Sequence, residues 1–160
     1  MVMEEIQMRK SVSINKIKED AENYFRRGDF YCSEAIANAI RENFNLDMPK
    51  EMVAMASGFP IGIGKSKCVC GAVSGAVMML GYFFGRTEPK DKKINKTFEL
   101  AHELQQSFKD NHKVLCCSYL TKGMDMNSGE HKEQCISFTG EMAEKLAQII
   151  VRELEVENVD

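Results

Sequence analysis

The segment from Val69 to Phe84 reads VCGAVSGAVMMLGYFF and contains no charged residue. Apolar residues fall on every side of a helix built from it, which is typical of a helix buried all round. The segment is shorter than the roughly 20 residues that a bilayer-spanning helix needs. Lys65, Lys67 and Arg86 also flank it closely. We therefore expect a buried central helix and no membrane span.

Helical spacing of apolar residues continues on both sides of this segment. Gly28 supplies a stop for the first helix, and Pro49 fits the first turn of a short one. No alternating pattern typical of a strand is present. The sequence predicts an all-α bundle of about five to six helices around the buried central helix. The predicted helices cover residues 13–27, 32–44, 49–56, 69–84, 91–111 and 137–154, with a short element over 112–120 and loops over 57–67 and 121–133.

Length and charge restrict the class of protein. The 160 residues suit one domain, so we expect a tail over residues 1–12 and one helical domain over residues 13–155. A net charge of −3 argues against binding nucleic acid through a basic surface. The first ten residues, MVMEEIQMRK, lack the apolar stretch of an export signal. We expect a cytoplasmic protein, whose thiols are reduced, metal-bound or catalytic rather than locked in structural disulfides.

The glycine-rich stretch SGFPIGIGKSK precedes the central helix. Residues 62–66 resemble the end of a phosphate-binding P-loop, but Phe59 stands where that motif needs its first glycine. The preceding element is also a predicted helix rather than a strand, so we expect no bound nucleotide. The stretch is either a flexible connection or a turn whose backbone N–H groups face sulfur or an anion.

The cysteines are the most informative polar residues. No Cys-x-x-Cys spacing occurs, so zinc ribbons, thioredoxin-like dithiols and c-type haem attachment are not supported. Cys32, Cys70 and Cys135 fall at or just before predicted helix starts, where unpaired N–H groups stabilise a thiolate and lower the thiol pKa. The alternative is that these cysteines pack as small apolar residues. The six positions are Cys32, Cys68, Cys70, Cys116, Cys117 and Cys135.

One histidine lies near these cysteines in the sequence. His131 precedes Cys135 by four residues, one helical turn, and is a candidate metal ligand. Its neighbours are polar, which favours the alternative of an ordinary exposed histidine.

Several short motifs around the cysteines match one known family. Residues 70–75, CGAVSG, fit a CGAxxG motif and follow the glycine-rich stretch. Upstream, residues 31–36 read YCSEAI, and downstream Cys117-Ser118-Tyr119-Leu120 fits a C-x-x-L segment. Cys135 takes the place of a last cysteine. Over about residues 18–152 the chain therefore resembles the C_GCAxxG_C_C family, whose members are described as redox-active.

The resemblance implies a helical domain in which four distant cysteines meet. Carried over by position, they are Cys32, Cys70, Cys117 and Cys135. Split-Soret cytochromes are similar to this family, but the chain lacks their haem-attachment motif, so we expect no haem. The chain departs from the family at Tyr31, where asparagine is common. Two extra thiols, Cys68 and Cys116, are alternative ligands, resolving thiols or packing residues.

Three functions are consistent with the resemblance. Four thiolates are the usual ligands of an iron–sulfur cluster or a zinc ion. The first function is therefore a metal-thiolate electron-transfer module. Its ligands or catalytic thiols would be Cys32, Cys70, Cys117 and Cys135. Backbone contacts to the bound group are expected from Gly62, Gly64 and Gly71. The alternatives are a metal-free dithiol oxidoreductase, in which Cys32 or Cys70 attacks a disulfide, and a non-redox helical binding module. The redox partner is not identified by the sequence, and a homodimer is compatible with it.

Overall fold

The computed structural model describes residues 6–160. Helices hold 63% of the residues and strands 4%, so the predicted all-α bundle is confirmed. The helices are α1 Ile14–Arg26, α2 Cys32–Asn43, a 3₁₀ helix Lys50–Ala56, α3 Pro60–Ile63, α4 Gly71–Phe84, α5 Ile94–His112, α6 Cys117–Leu120 and α7 Gly129–Glu153. The short strands β1 Ser11–Val12 and β2 Glu157–Asn158 pair in parallel.

The segment expected to be a tail lies partly within this range. Residues 1–5 of that segment lie outside the described residues. Ile6 and Met8 are half-buried against the core, and β1 joins the two ends of the chain through its pairing with β2. Residues 6–12 are therefore held against the bundle.

Helix α4 is largely buried in the bundle, as the apolar segment predicts, although Val77, Met78 and Tyr82 on one face are only half-buried. It packs against α2, α5 and α7, and Ala72, Ala76 and Leu80 have no exposed surface. Burying a side chain such as Leu80 contributes about 1.5–3 kcal/mol to folding. Within residues 6–160, no helix is both long enough and apolar enough to cross a membrane.

A glycine allows α2 and α4 to approach closely. A Cβ atom added at Gly75 would lie 2.6 Å from the Cα atom of Ser33. Real Cβ atoms do not approach backbone this closely, so any larger residue would push the helices apart. The same contact places the starts of α2 and α4, and the cysteines there, side by side.

Helix α7 begins earlier than the sequence predicts. It starts at Gly129 rather than near 137, so part of the predicted loop 121–133 is helical. Ser128 caps the helix by accepting a hydrogen bond from the His131 N–H, which satisfies one of the free N–H groups at its start. The first two turns are polar, so apolar periodicity does not reveal them. The prediction that Cys135 precedes the last helix is wrong, because Cys135 lies in the second turn of α7.

Candidate functional site

Four of the six cysteines line one cavity of about 970 Å³. The four are Cys32, Cys70, Cys117 and Cys135. All four are unoxidised thiols, with Cys135 half-buried and the other three buried. The structure therefore brings together the four cysteines to which the sequence motifs point, although they lie on four different helices or helix starts.

Cys32 and Cys70 occupy equivalent places on neighbouring helices. Cys32 is the first residue of α2, and Cys70 is the N-cap residue of α4. The backbone N–H groups at these two helix starts act to lower the pKa values of the Cys32 and Cys70 thiols. The Val73 N–H donates to the Cys70 carbonyl at 3.1 Å. Both thiols therefore lie beside the free N–H groups of a helix start, as the sequence argument expects.

Gly71 lies between the Cys32 sulfur and the backbone of Phe59 and Pro60. A Cβ atom at Gly71 would lie 2.6 Å from the Cys32 sulfur and 3.0 Å from the Cα atom of Pro60. Gly71 also lines the cavity. A glycine is required here because the cysteine and the neighbouring loop leave no space for a side chain.

Cys117 reaches the cavity through a short antiparallel contact. Val69 and Cys116 form an isolated β-bridge. The Cys70 N–H donates to the Leu115 carbonyl at 2.8 Å, and the Cys117 N–H donates to the Cys68 carbonyl. These bonds hold the start of α6 beside the start of α4, so Cys117 lies next to Cys70 although 46 positions separate them in the sequence.

Cys135 approaches the cavity from α7, beside a histidine. Its sulfur lies 3.5 Å from the Nε2 atom of His131, one turn earlier in the same helix. Both residues line the cavity. His131 is thus a neighbour of the site, as its spacing from Cys135 suggested.

Burial raises the pKa values of the cavity thiols. It raises the pKa of Cys32 well above its usual value, that of Cys70 to about 11 and that of Cys135 to about 12. The pKa of Cys117 is also raised by burial, and the nearby Lys67 ammonium opposes this change. The expectation that the helix starts lower these pKa values is wrong. Backbone N–H groups act in that direction on Cys32 and Cys70, but the loss of solvation is larger.

The four thiols line the cavity without forming a recognisable site for a single metal ion within residues 6–160. Among residues 6–160, no group of three or more His, Cys, Asp or Glu side chains is arranged to hold one metal ion. A tetrahedral zinc site would need its sulfur ligands at about 2.3 Å from the ion. The described side chains therefore do not form a closed single-ion site.

The glycine-rich stretch forms one wall of the cavity. Gly62 lines it, whereas Gly64 is not among the lining residues. The backbone of residues 61–65 has positive φ throughout, including the non-glycine residues Ile61, Ile63 and Lys65. Left-handed conformation costs roughly 1–2 kcal/mol at each non-glycine residue. A Cβ at Gly62 would also lie 2.7 Å from the Lys67 carbonyl carbon, so the turn is closely packed rather than a flexible connection.

The two remaining cysteines lie outside the cavity. Cys68 and Cys116 are both exposed. The Cys116 sulfur lies 3.0 Å from the Ser118 hydroxyl, and this hydrogen bond lowers the pKa of the Cys116 thiol. Their exposure distinguishes them from the four thiols inside.

The basic residues of the cavity wall are not evident from the sequence pattern. Lys65, Lys67 and Lys132 all line the cavity. In the sequence, Lys65 and Lys67 stand out only as charges that flank the apolar segment. Their role as cavity residues depends on the left-handed turn, which sequence periodicity does not predict.

Comparison with known proteins adds one finding. Residues 30–149 match the family model described as "Putative redox-active protein (C_GCAxxG_C_C)". All four cavity cysteines lie within the matched segment. No curated protein and no solved structure matches the chain.

Proposed function

Because the chain belongs to the C_GCAxxG_C_C family of redox-active proteins, we propose that its four cavity cysteines bind an iron–sulfur cluster and that the protein transfers electrons. The observation that supports this most is the shared cavity of Cys32, Cys70, Cys117 and Cys135. When bound, the cluster would supply the ability to accept and donate one electron.

The residues of the cavity fit such a group. Four thiols are the usual ligand set of [2Fe–2S] and [4Fe–4S] clusters. Their burial keeps them protonated at neutral pH without a cation, and metal binding removes such protons. The backbone N–H groups at the starts of α2 and α4 act to lower the pKa values of Cys32 and Cys70. They would stabilise negative charge on these sulfurs, which tunes the reduction potential of a thiolate-bound centre.

A cluster of several metal ions fits this arrangement better than one zinc ion. The four thiols line the cavity from separate elements, and no three described ligand side chains form a site for a single ion. A single zinc ion needs all its ligands within about 2.3 Å. A cluster places its cysteines on different metal ions, so it tolerates wider separations between the sulfur atoms.

Six Cys→Ser variants test the proposal. The full-length protein would be reconstituted anaerobically with iron and sulfide, and bound iron and sulfide would be counted per chain. We expect Cys32→Ser, Cys70→Ser, Cys117→Ser and Cys135→Ser to lower the cluster content strongly. Cys68→Ser and Cys116→Ser are matched controls that should retain it. Equal retention in all six variants, or no cluster in the wild type, would overturn the proposal.

Metal-free dithiol chemistry is a second candidate, favoured by the contact between His131 and Cys135. The His131 imidazole would accept the Cys135 proton, and the Cys135 sulfur would attack a substrate disulfide. One substrate thiolate leaves, and a second cavity thiolate then attacks Cys135 and releases the other. The protein ends with one disulfide, and the substrate has gained two electrons.

The two candidates give different results in a thiol count. For dithiol chemistry, mild oxidation of the metal-free protein should remove two titratable thiols, and Cys135→Ser should prevent this loss. The raised pKa of the Cys135 thiol, about 12, counts against this candidate, because the neutral thiol is a poor nucleophile.

A further inference from the structure

The cavity has more room and more charge than four thiol ligands require. Its volume of about 970 Å³ lies near the top of the usual range for small-molecule pockets, about 300–1,000 Å³. The eight atoms of a [4Fe–4S] core would fill only a small part of it. We propose that the cavity also binds a small organic anion, with an acidic group at its lysines and a flat apolar body against its aromatic wall.

Three lysines give the cavity its positive charge. Lys65, Lys67 and Lys132 line it and are exposed. Within the part of the chain that the structure describes, none of the three forms a salt bridge. Unpaired ammonium groups at a concave surface attract anions.

The two acidic residues of the wall are already engaged. Asp29 accepts a hydrogen bond from the Arg27 guanidinium at 2.8 Å. Glu34 accepts hydrogen bonds from the Tyr31 N–H at 2.9 Å and from the Ser57 hydroxyl at 2.8 Å. Both carboxylates thus have partners of their own, and neither forms a salt bridge with a lysine of the cavity, which leaves the lysine charges available to a ligand.

The lysines are held in place rather than on a mobile segment. The Lys67 N–H donates to the Ile61 carbonyl and the Cys68 N–H donates to the Gly62 carbonyl, both at 3.0 Å. The Lys67 ammonium is near enough to Cys117 to oppose the rise in its pKa. An acidic group bound at Lys67 would therefore lie beside a thiol of the candidate redox site.

An aromatic wall completes the site. Phe25 and Tyr31 line the cavity and meet edge to face, with ring centroids 6.2 Å apart. Tyr31 is 54% exposed. A flat apolar group placed here would cover it and gain contact area.

The site suits an organic carboxylate, phosphate or sulfonate. The anion would be the electron acceptor or donor of the site, and this role rests on the proposed function. Binding itself needs no cluster and can be measured without one. The alternative role of the lysines is to balance the negative charge of a thiolate cluster.

Two related fluorescent probes test the inference on the metal-free full-length protein. The anionic probe is 8-anilinonaphthalene-1-sulfonate, and the uncharged probe is N-phenyl-1-naphthylamine. We expect Lys65→Gln/Lys67→Gln to weaken binding of the sulfonate about tenfold, the effect of losing two partly exposed ion pairs. Binding of the uncharged probe should not change. The control Lys90→Gln/Lys92→Gln removes two exposed lysines outside the cavity and should leave both affinities unchanged.

A further variant separates this inference from the proposed function. Cys32→Ser/Cys70→Ser should lose the cluster but keep lysine-dependent binding of the sulfonate. If iron binding fails in the wild type while the lysine dependence holds, only the proposed function is wrong. If Lys65→Gln/Lys67→Gln leaves sulfonate binding unchanged, the inference is overturned, whether or not the same variant shifts the reduction potential of a bound cluster.

Discussion

Replacing Gly71 by alanine should disturb the candidate site and destabilise the fold together. The new Cβ atom would lie 2.6 Å from the Cys32 sulfur, 3.0 Å from the Cα atom of Pro60 and 3.1 Å from the Phe59 carbonyl oxygen. Two of these neighbours are backbone atoms, so rotating one side chain cannot relieve the crowding. Overpacking of this kind costs about 1–3 kcal/mol, and alanine recovers about 0.5–1 kcal/mol of helix preference. We therefore expect a net loss of up to about 2.5 kcal/mol in the free energy of unfolding.

Gly81→Ala in the same helix is the matched control. A Cβ atom at Gly81 would meet nothing within 4 Å, so alanine should stabilise the protein by about 0.5–1 kcal/mol. Urea unfolding followed by circular dichroism gives both values, provided that the slope with urea does not change. The reasoning would be refuted if Gly71→Ala were as stable as Gly81→Ala. A second readout is cluster content after reconstitution, which should fall only in Gly71→Ala because only this variant displaces Cys32.

Two further predictions concern groups outside the cavity. The hydrogen bond from Ser118 lowers the pKa of the exposed Cys116 thiol. We therefore expect iodoacetamide to alkylate Cys116 first at neutral pH, as peptide mass mapping would show, and Ser118→Ala to slow this reaction. Earlier labelling of a cavity cysteine would contradict the prediction. Hydrogen bonds from Arg152 and Lys145 lower the pKa of Glu103 to about 2. Because its folded pKa lies below the unfolded value of about 4.3, the charged carboxylate stabilises the fold above that value and the contribution disappears as pH falls towards 2. Glu103→Gln should therefore lower the free energy of unfolding by about 0.5–1 kcal/mol at neutral pH and leave it unchanged near pH 2. A difference between variant and wild type that is constant over this pH range would be inconsistent with the ion pair.

The helices with clear apolar periodicity could be predicted from the sequence. Helix α4 is the clearest case, because its composition leaves no side that water could face. The start of α7 could not be found in this way, since its first two turns are polar and its cap depends on Ser128. The polar composition of these two turns also explains why Cys135 was expected before the helix and lies within it.

The candidate site depends on contacts that no local pattern encodes. The motifs group Cys32, Cys70, Cys117 and Cys135 only through resemblance to a family. Their meeting in space depends on the close approach of α2 to α4 and on the bridge between Val69 and Cys116. Burial also outweighs the helix starts in setting the thiol pKa values, and burial is a property of the folded protein.

The central claim is that four thiols in one cavity hold an iron–sulfur cluster. The most direct test is to purify the full-length protein anaerobically and to measure iron, acid-labile sulfide and the visible spectrum on the same sample. We predict iron and sulfide in equal amounts, with a visible absorption band that decreases when dithionite reduces the protein. A sample that contains neither iron nor sulfide and does not gain them on anaerobic reconstitution would contradict the claim.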